Sequence, residues 1–169
     1  MTGAFEAAPS LVPPSYRGRE QAWIKHQLLE SYLEKLMLIV GMAAKRQGTI
    51  EICYVDCFSG PWGTSELEST SIAVSLRTMA KCRQKLAELG VTASMRALYI
   101  ERDDEAFGNL ERYLDSATPD TVSAKCFHGD FVDLREQILT WSGRDAFTFF
   151  FIDPKGWKSI GIEKLLIRP

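Results

Sequence analysis

Acidic residues stand where three apolar runs stop. Asp56 follows Ile50, Ile52, Tyr54 and Val55; Glu101 follows Leu98, Tyr99 and Ile100; Asp153 follows Phe149, Phe150, Phe151 and Ile152. A buried strand that ends in an acid and a small-residue loop lets a ligand touch backbone, and open parallel sheets bind ligands outside the carboxyl ends of their strands. The first of these loops reads Cys57-Phe58-Ser59-Gly60-Pro61-Trp62-Gly63. Its glycines allow close approach, and their N–H groups can face polar ligand atoms. Acids at three strand ends predict one crevice along the carboxyl edge of a parallel sheet. Its chemistry would be hydrogen-bond acceptance from hydroxyls and amines, because an ionised carboxylate only accepts.

The elements that must position these residues follow from periodicity. Residues 1–18 hold Pro9, Pro13, Pro14 and Gly18 without a repeat, which predicts a flexible or surface-draped arm. From Arg19 to Arg46, Trp23, Leu28, Leu29, Tyr32, Leu33, Leu36, Met37 and Val40 recur at helical steps, with Gln47-Gly48 as a stop. Strands are predicted over 49–56, 94–100, 122–127 and 146–152. The helices between them run from a Ser69, Thr70 or Ser71 cap to Leu89, from Asp103 or Asp104 to Ser116, and from Val132 to Trp141, and a last one begins near Ile162. This alternation predicts an α/β domain over 19–169, with right-handed crossovers and helices on both faces. Four strands are few for a doubly wound sheet, and Phe149 to Phe151 would lie near an open edge. The expectation is a chain cut short at its C-terminus, the alternative being some other cover for that edge.

Composition bounds the function classes. With 169 residues, 46% of them apolar and 25% charged, the chain is long enough for one real core and ordinary for a globular protein. A net charge of −2 gives no global footprint of nucleic-acid binding, although a local basic patch stays open. The apolar runs are too short for a membrane span, and the N-terminus shows no signal-peptide pattern. Cys53, Cys57, Cys82 and Cys126 form no paired C-x-x-C knuckles, so a zinc site is not expected. They read as reduced core thiols, which implies a cytoplasmic address.

Taken together, several segments resemble the S-adenosylmethionine-dependent methyltransferase fold and, within it, the family called three-Cys-motif partner proteins. They are Lys25-His26 with Leu28-Leu29 and Tyr32-Leu33, Tyr54-Val55-Asp56-Cys57-Phe58-Ser59-Gly60-Pro61, and Ser71-Ile72-Ala73. Tyr99-Ile100-Glu101-Arg102-Asp103, Gly129-Asp130 and Phe151-Ile152-Asp153-Pro154-Lys155-Gly156-Trp157 continue the match in order. The resemblance implies a partial Rossmann-like methyltransferase fold with about four parallel strands in the order 3-2-1-4 and an extra N-terminal helix. It also implies S-adenosylmethionine as cofactor, and a protein partner carrying a three-cysteine motif. Asp56, Phe58, Gly60 and Gly63 would cradle its methionine and ribose, with Asp56 accepting from the ammonium group. Glu101 would accept from the ribose hydroxyls. Asp130 would accept the exocyclic amine of adenine, with Phe131 covering the ring. Lys25-His26 would border the cleft.

The segment from Asp153 to Trp157 is similar to the D/N-P-P-Y loop of amino-methyltransferases. There Asp153 and Pro154 would orient an acceptor amine and Trp157 would stack on a planar substrate, such as a nucleic-acid base. Lys155-Gly156 replaces the second proline and the aromatic of that pattern, and Trp62 stands between Gly60-Pro61 and Gly63 where a small residue is usual. An indole at that place narrows the pocket and favours a rival reading: a non-catalytic partner protein that keeps the fold and works through protein contacts. A nucleotide-binding domain of another class is a third reading, although the loop is not G-x-G-x-x-G.

Overall fold

The computed structural model describes residues 12–60 and 70–153. A short 3-10 turn over Pro14–Tyr16 precedes helix α1 (Glu20–Ala43). Strand β1 (Thr49–Asp56), helix α2 (Ser71–Glu88), strand β2 (Thr92–Glu101), helix α3 (Asp104–Ala117), strand β3 (Ser123–His128), helix α4 (Arg135–Ser142) and strand β4 (Phe147–Phe151) follow. All strand pairs are parallel, and the sheet order is β3-β2-β1-β4. The architecture is therefore Rossmann-like, with the predicted strand order.

The sheet separates two apolar layers. Ile52 and Tyr54 of β1 and Ala97 and Tyr99 of β2 face α1, α2 and α3. Val55, Leu98 and Ile100 face the other way, onto Ile138 of α4. Period-two alternation along two buried strands produces this split, so each strand supplies both cores. Helices thus cover both faces.

Capping follows local chemistry. Of the three candidate caps for α2, Thr70 takes the place, its hydroxyl oxygen accepting from Ala73 N at 3.2 Å. Asp103 caps α3 by accepting from Ala106 N at 2.9 Å. α4 starts three residues later than predicted. Residues 131–134 form a turn in which Leu134 N donates to Asp130 O at 3.0 Å, and the helix grows from that turn. α1 stops at Ala43, three residues short of the predicted end. The described end of the predicted arm lies against α1, where Tyr16 is buried and its hydroxyl sits 3.0 Å from His26 Nδ1. The helix predicted near Ile162 lies outside the described residues.

The aromatic run of β4 is divided between the layers. Phe149 and Phe151 stack on Tyr54, at 6.1 and 6.4 Å between ring centroids, and Phe150 packs into the second core. Tyr32 of α1 covers Phe149 from outside at 5.7 Å. Among the described residues β4 pairs with β1 alone, so its other edge keeps unpaired backbone groups beneath a partial roof from α1.

α1 and α2 pack closely at Gly41. A Cβ built there would lie 2.4 Å from Leu86 Cδ2 and 2.6 Å from Cδ1, and Leu86 is wholly buried. Gly41→Ala gains roughly 1 kcal/mol of helix propensity. It also forces a fixed core side chain to move, an overpacking cost of about 1–3 kcal/mol. The expected result is a net loss of stability in urea unfolding; a variant more stable than the parent would show that the helices separate freely.

Candidate functional site

Strand order places the site. The chain runs from β1 to β2 to β3 in one direction across the sheet, then returns to lay β4 on the far side of β1. That reversal opens a crevice outside the carboxyl ends of the strands, beside β1. Asp56 ends β1, Glu101 ends β2 and Asp153 lies two residues beyond β4. The exits are joined by backbone hydrogen bonds: Cys57 N to Phe151 O at 3.0 Å, Ser59 N to Ile100 O at 2.9 Å, and Gly129 N to Glu101 O at 2.9 Å. Asp56, Gly60, Glu101, Asp130, Phe131 and Asp153 thus share one edge of the sheet.

Asp56 is turned into the protein, with 1% of its surface exposed. One carboxylate oxygen accepts from Phe58 N at 3.1 Å and the other from the Ser71 hydroxyl at 3.3 Å, which ties the loop after β1 to the first turn of α2. Burial pushes its pKa up to about 7. The two hydrogen bonds oppose that rise and the nearby Asp153 adds to it. Beneath it lies a polar layer in which Ser75 and Tyr99 share a hydrogen bond at 2.8 Å. The buried Tyr54 hydroxyl adjoins this layer, close to Asp56 and Ser75, without a well-formed hydrogen bond among the described residues.

Glu101 is also nearly buried, with 8% exposed. Its Oε1 accepts from Arg102 N at 2.8 Å and Asp103 N at 2.9 Å. Gly60 rests on the other half of the carboxylate: a Cβ at residue 60 would lie 1.8 Å from Oε2 and 2.7 Å from Cδ. Only a residue without a side chain fits over that acid. Asp130 Oδ1 accepts from Val132 N at 2.9 Å, so this oxygen shapes the turn before α4. Phe58 and Phe131, both half-buried, meet at 6.3 Å between centroids and join the loops after β1 and β3.

Asp153 is exposed and bound. Both its oxygens accept from Lys25 Nζ on α1, at 2.9 and 3.1 Å. His26 is next in the chain; burial, with Arg19 and Lys25 nearby, lowers its pKa and keeps the ring neutral at pH 7. Two further contacts at this edge are visible only in the structure. The Ser71 hydroxyl on Asp56 leaves no sequence signal beyond a serine near a helix start. His128 stacks on Phe107 at 4.8 Å with Nε2 3.1 Å from both Arg102 O and Asp104 Oδ1. Gly63, Trp62, Pro154, Lys155, Gly156 and Trp157 lie outside the described residues.

Other features lie away from this edge. A hollow of about 560 Å³ lies between α2 and the start of β2, lined by Lys81, Arg83, Gln84 and Thr92. A second, of about 310 Å³, lies between α3 and β3. Neither reaches the strand exits. The four cysteines are free thiols, and burial raises the pKa of each, which makes them poor nucleophiles. Among the described residues no helix is long and apolar enough to cross a membrane, and no group of three or more His, Cys, Asp or Glu is arranged to hold a metal. Comparisons of the chain with family models, with curated proteins and with solved structures find no match.

Proposed function

We propose that this chain binds S-adenosylmethionine along the carboxyl edge of its sheet and transfers the methyl group to an amine, the acceptor class being an amine of a nucleic-acid base. The observation that carries the reading is the contact of Gly60 with Glu101. A glycine lies flush against a nearly buried acid whose Oε1 is already fixed by two backbone N–H groups. That is a cradle which a side chain would fill, and its acceptor oxygens suit a pair of ribose hydroxyls. Phe58 and Phe131 offer aromatic surface for a purine, and the Asp130 carboxylate suits its exocyclic amine. When bound, the cofactor supplies a methyl group on a sulfonium that leaves readily. The protein then has to align the nucleophile, a task that demands position rather than strong acid–base groups. Asp153 performs it in this reading, and Lys25 shows that its carboxylate can hold an ammonium nitrogen with both oxygens.

Titration calorimetry on the full chain tests the reading. Micromolar binding of S-adenosylmethionine is expected. Glu101→Ala removes hydrogen bonds to a charged group worth roughly 1.5–3 kcal/mol each, so affinity should fall at least about tenfold. No binding by the parent chain would overturn the reading.

A second reading has its own observation. Ile24, Leu28, Tyr32 and Ile39 are exposed along α1, and Phe147 is exposed at the start of β4, whose outer edge is unpaired among the described residues. An apolar stripe of this kind on a helix suits protein contact. It favours a non-catalytic protein that acts through a partner, in line with the resemblance to partners of three-cysteine-motif proteins. Absent cofactor binding together with a stable complex would select this second reading.

A further inference from the structure

We propose that Lys25 recognises the carboxylate of the cofactor's amino-acid tail, leaving Asp153 when that tail enters and freeing it for the acceptor. This inference rests on the cofactor reading above and adds to it a residue that reads one end of the ligand. The argument starts from sheet geometry. Neighbouring strands lie about 4.8 Å apart, so the exits of β2 and β4, on either side of β1, are about 10 Å apart. A nucleoside with its ribose on Glu101 must run its 5′ tail over Gly60 and past the end of β1, toward the exit of β4.

One exposed carboxylate and one ammonium meet the tail there: Lys25 Nζ sits against both oxygens of Asp153, while Asp56 is buried at the end of β1. An α-amino-acid end carries a carboxylate as well as an ammonium group. Facing Asp153 without a cation, that carboxylate would be repelled. A cation is needed at this end of the crevice, and Arg102 stands at the other end, beside Glu101 on β2. Among the described residues Lys25 is held by an exposed ion pair, with 63% of its side chain and 44% of that of Asp153 in solvent. Such a pair is weak, and the flexible lysine stem lets the ammonium turn to a new anion. His26, neutral beside it and tied to Tyr16, fixes the helix turn from which Lys25 projects.

Calorimetry with two ligands tests the assignment on the full chain. 5′-Methylthioadenosine carries the same nucleoside without the amino-acid end. Lys25→Gln is expected to weaken S-adenosylmethionine at least about tenfold, the scale of one charge-assisted contact, and to leave methylthioadenosine unchanged. Asp153→Asn removes the competitor for Lys25 and is expected to hold or tighten S-adenosylmethionine. The proposal is overturned if Lys25→Gln leaves S-adenosylmethionine unaffected or weakens both ligands alike. It is also overturned if Asp153→Asn loses as much affinity as Lys25→Gln, since the pair would then act only as a tie between α1 and β4. A parent chain that binds neither ligand refutes the cofactor reading itself, and this proposal with it; one that binds both refutes only what its variants fail.

Discussion

Asp56→Asn should melt higher than the parent chain above pH 7 and at nearly the same temperature near pH 4. The sign follows from linkage. Burial raises the Asp56 carboxyl from 3.8 to about 7 in the folded protein, so between those values the native state binds a proton that the unfolded chain has released. Stability is then fully present below the unfolded pKa and is lost as pH rises toward the folded one. The difference is about 3 pKa units, which at 1.36 kcal/mol per unit comes to about 4 kcal/mol at most. For a domain of this size that corresponds to roughly 8–15 °C in melting temperature. Asparagine keeps an oxygen for Phe58 N and offers an N–H to the Ser71 hydroxyl, so both ties of the loop survive without the buried charge. Melts of the two proteins from pH 4 to pH 8 decide the matter. Curves that run parallel across this window would mean that Asp56 is as well solvated folded as unfolded.

A carboxylate that costs stability at neutral pH suits a site rather than a scaffold, where strain and uncompensated charge concentrate. Asp153 stands next to it and contributes to its raised pKa. Lys25 partly offsets that negative field from α1. A cationic group entering the crevice would ease the burden on Asp56, so binding a sulfonium or an ammonium there should flatten the pH dependence described above.

The sheet was legible because its strands are. β1 and β2 close on apolar runs, Ile52 to Val55 and Ala97 to Ile100, β4 is apolar but for Thr148, and each ends at an acid or within two residues of one. The stops at Gly48 and Gly90 were equally plain, and both glycines adopt positive φ. What the sequence hid were relations between distant residues. Lys25 and Asp153 are 128 positions apart, and only the return of β4 beside β1 brings them into contact. The inward turn of Asp56 depends on Ser71, which belongs to the next helix. The late start of α4 arises from a turn closed by Asp130, a residue whose side chain also suits a ligand. The β4 edge gave a clear hazard signal in its run of phenylalanines. Its partial cover by Tyr32 could not be read, because a helix 117 residues earlier supplies it.

Gly60→Ala is the sharpest test of how the crevice is built. The new Cβ would overlap Glu101 Oε2 at 1.8 Å. The acid cannot simply swing aside, because its other oxygen is held by Arg102 N and Asp103 N and the residue is nearly buried. Either the loop lifts or those two hydrogen bonds break. The expected loss is about 1–3 kcal/mol, as for other overpacked sites, or roughly 2–12 °C in melting temperature. Nucleoside affinity should fall with it, since the methyl group occupies the face that the ribose needs. A double-mutant cycle separates contact from general damage. In a Glu101→Ala background the obstructing carboxylate is gone, and Gly60→Ala should then cost less than about 0.5 kcal/mol. An unchanged penalty in that background would show that Gly60 is required by the path of the loop and not by the acid beneath it, and the cradle would lose its physical basis.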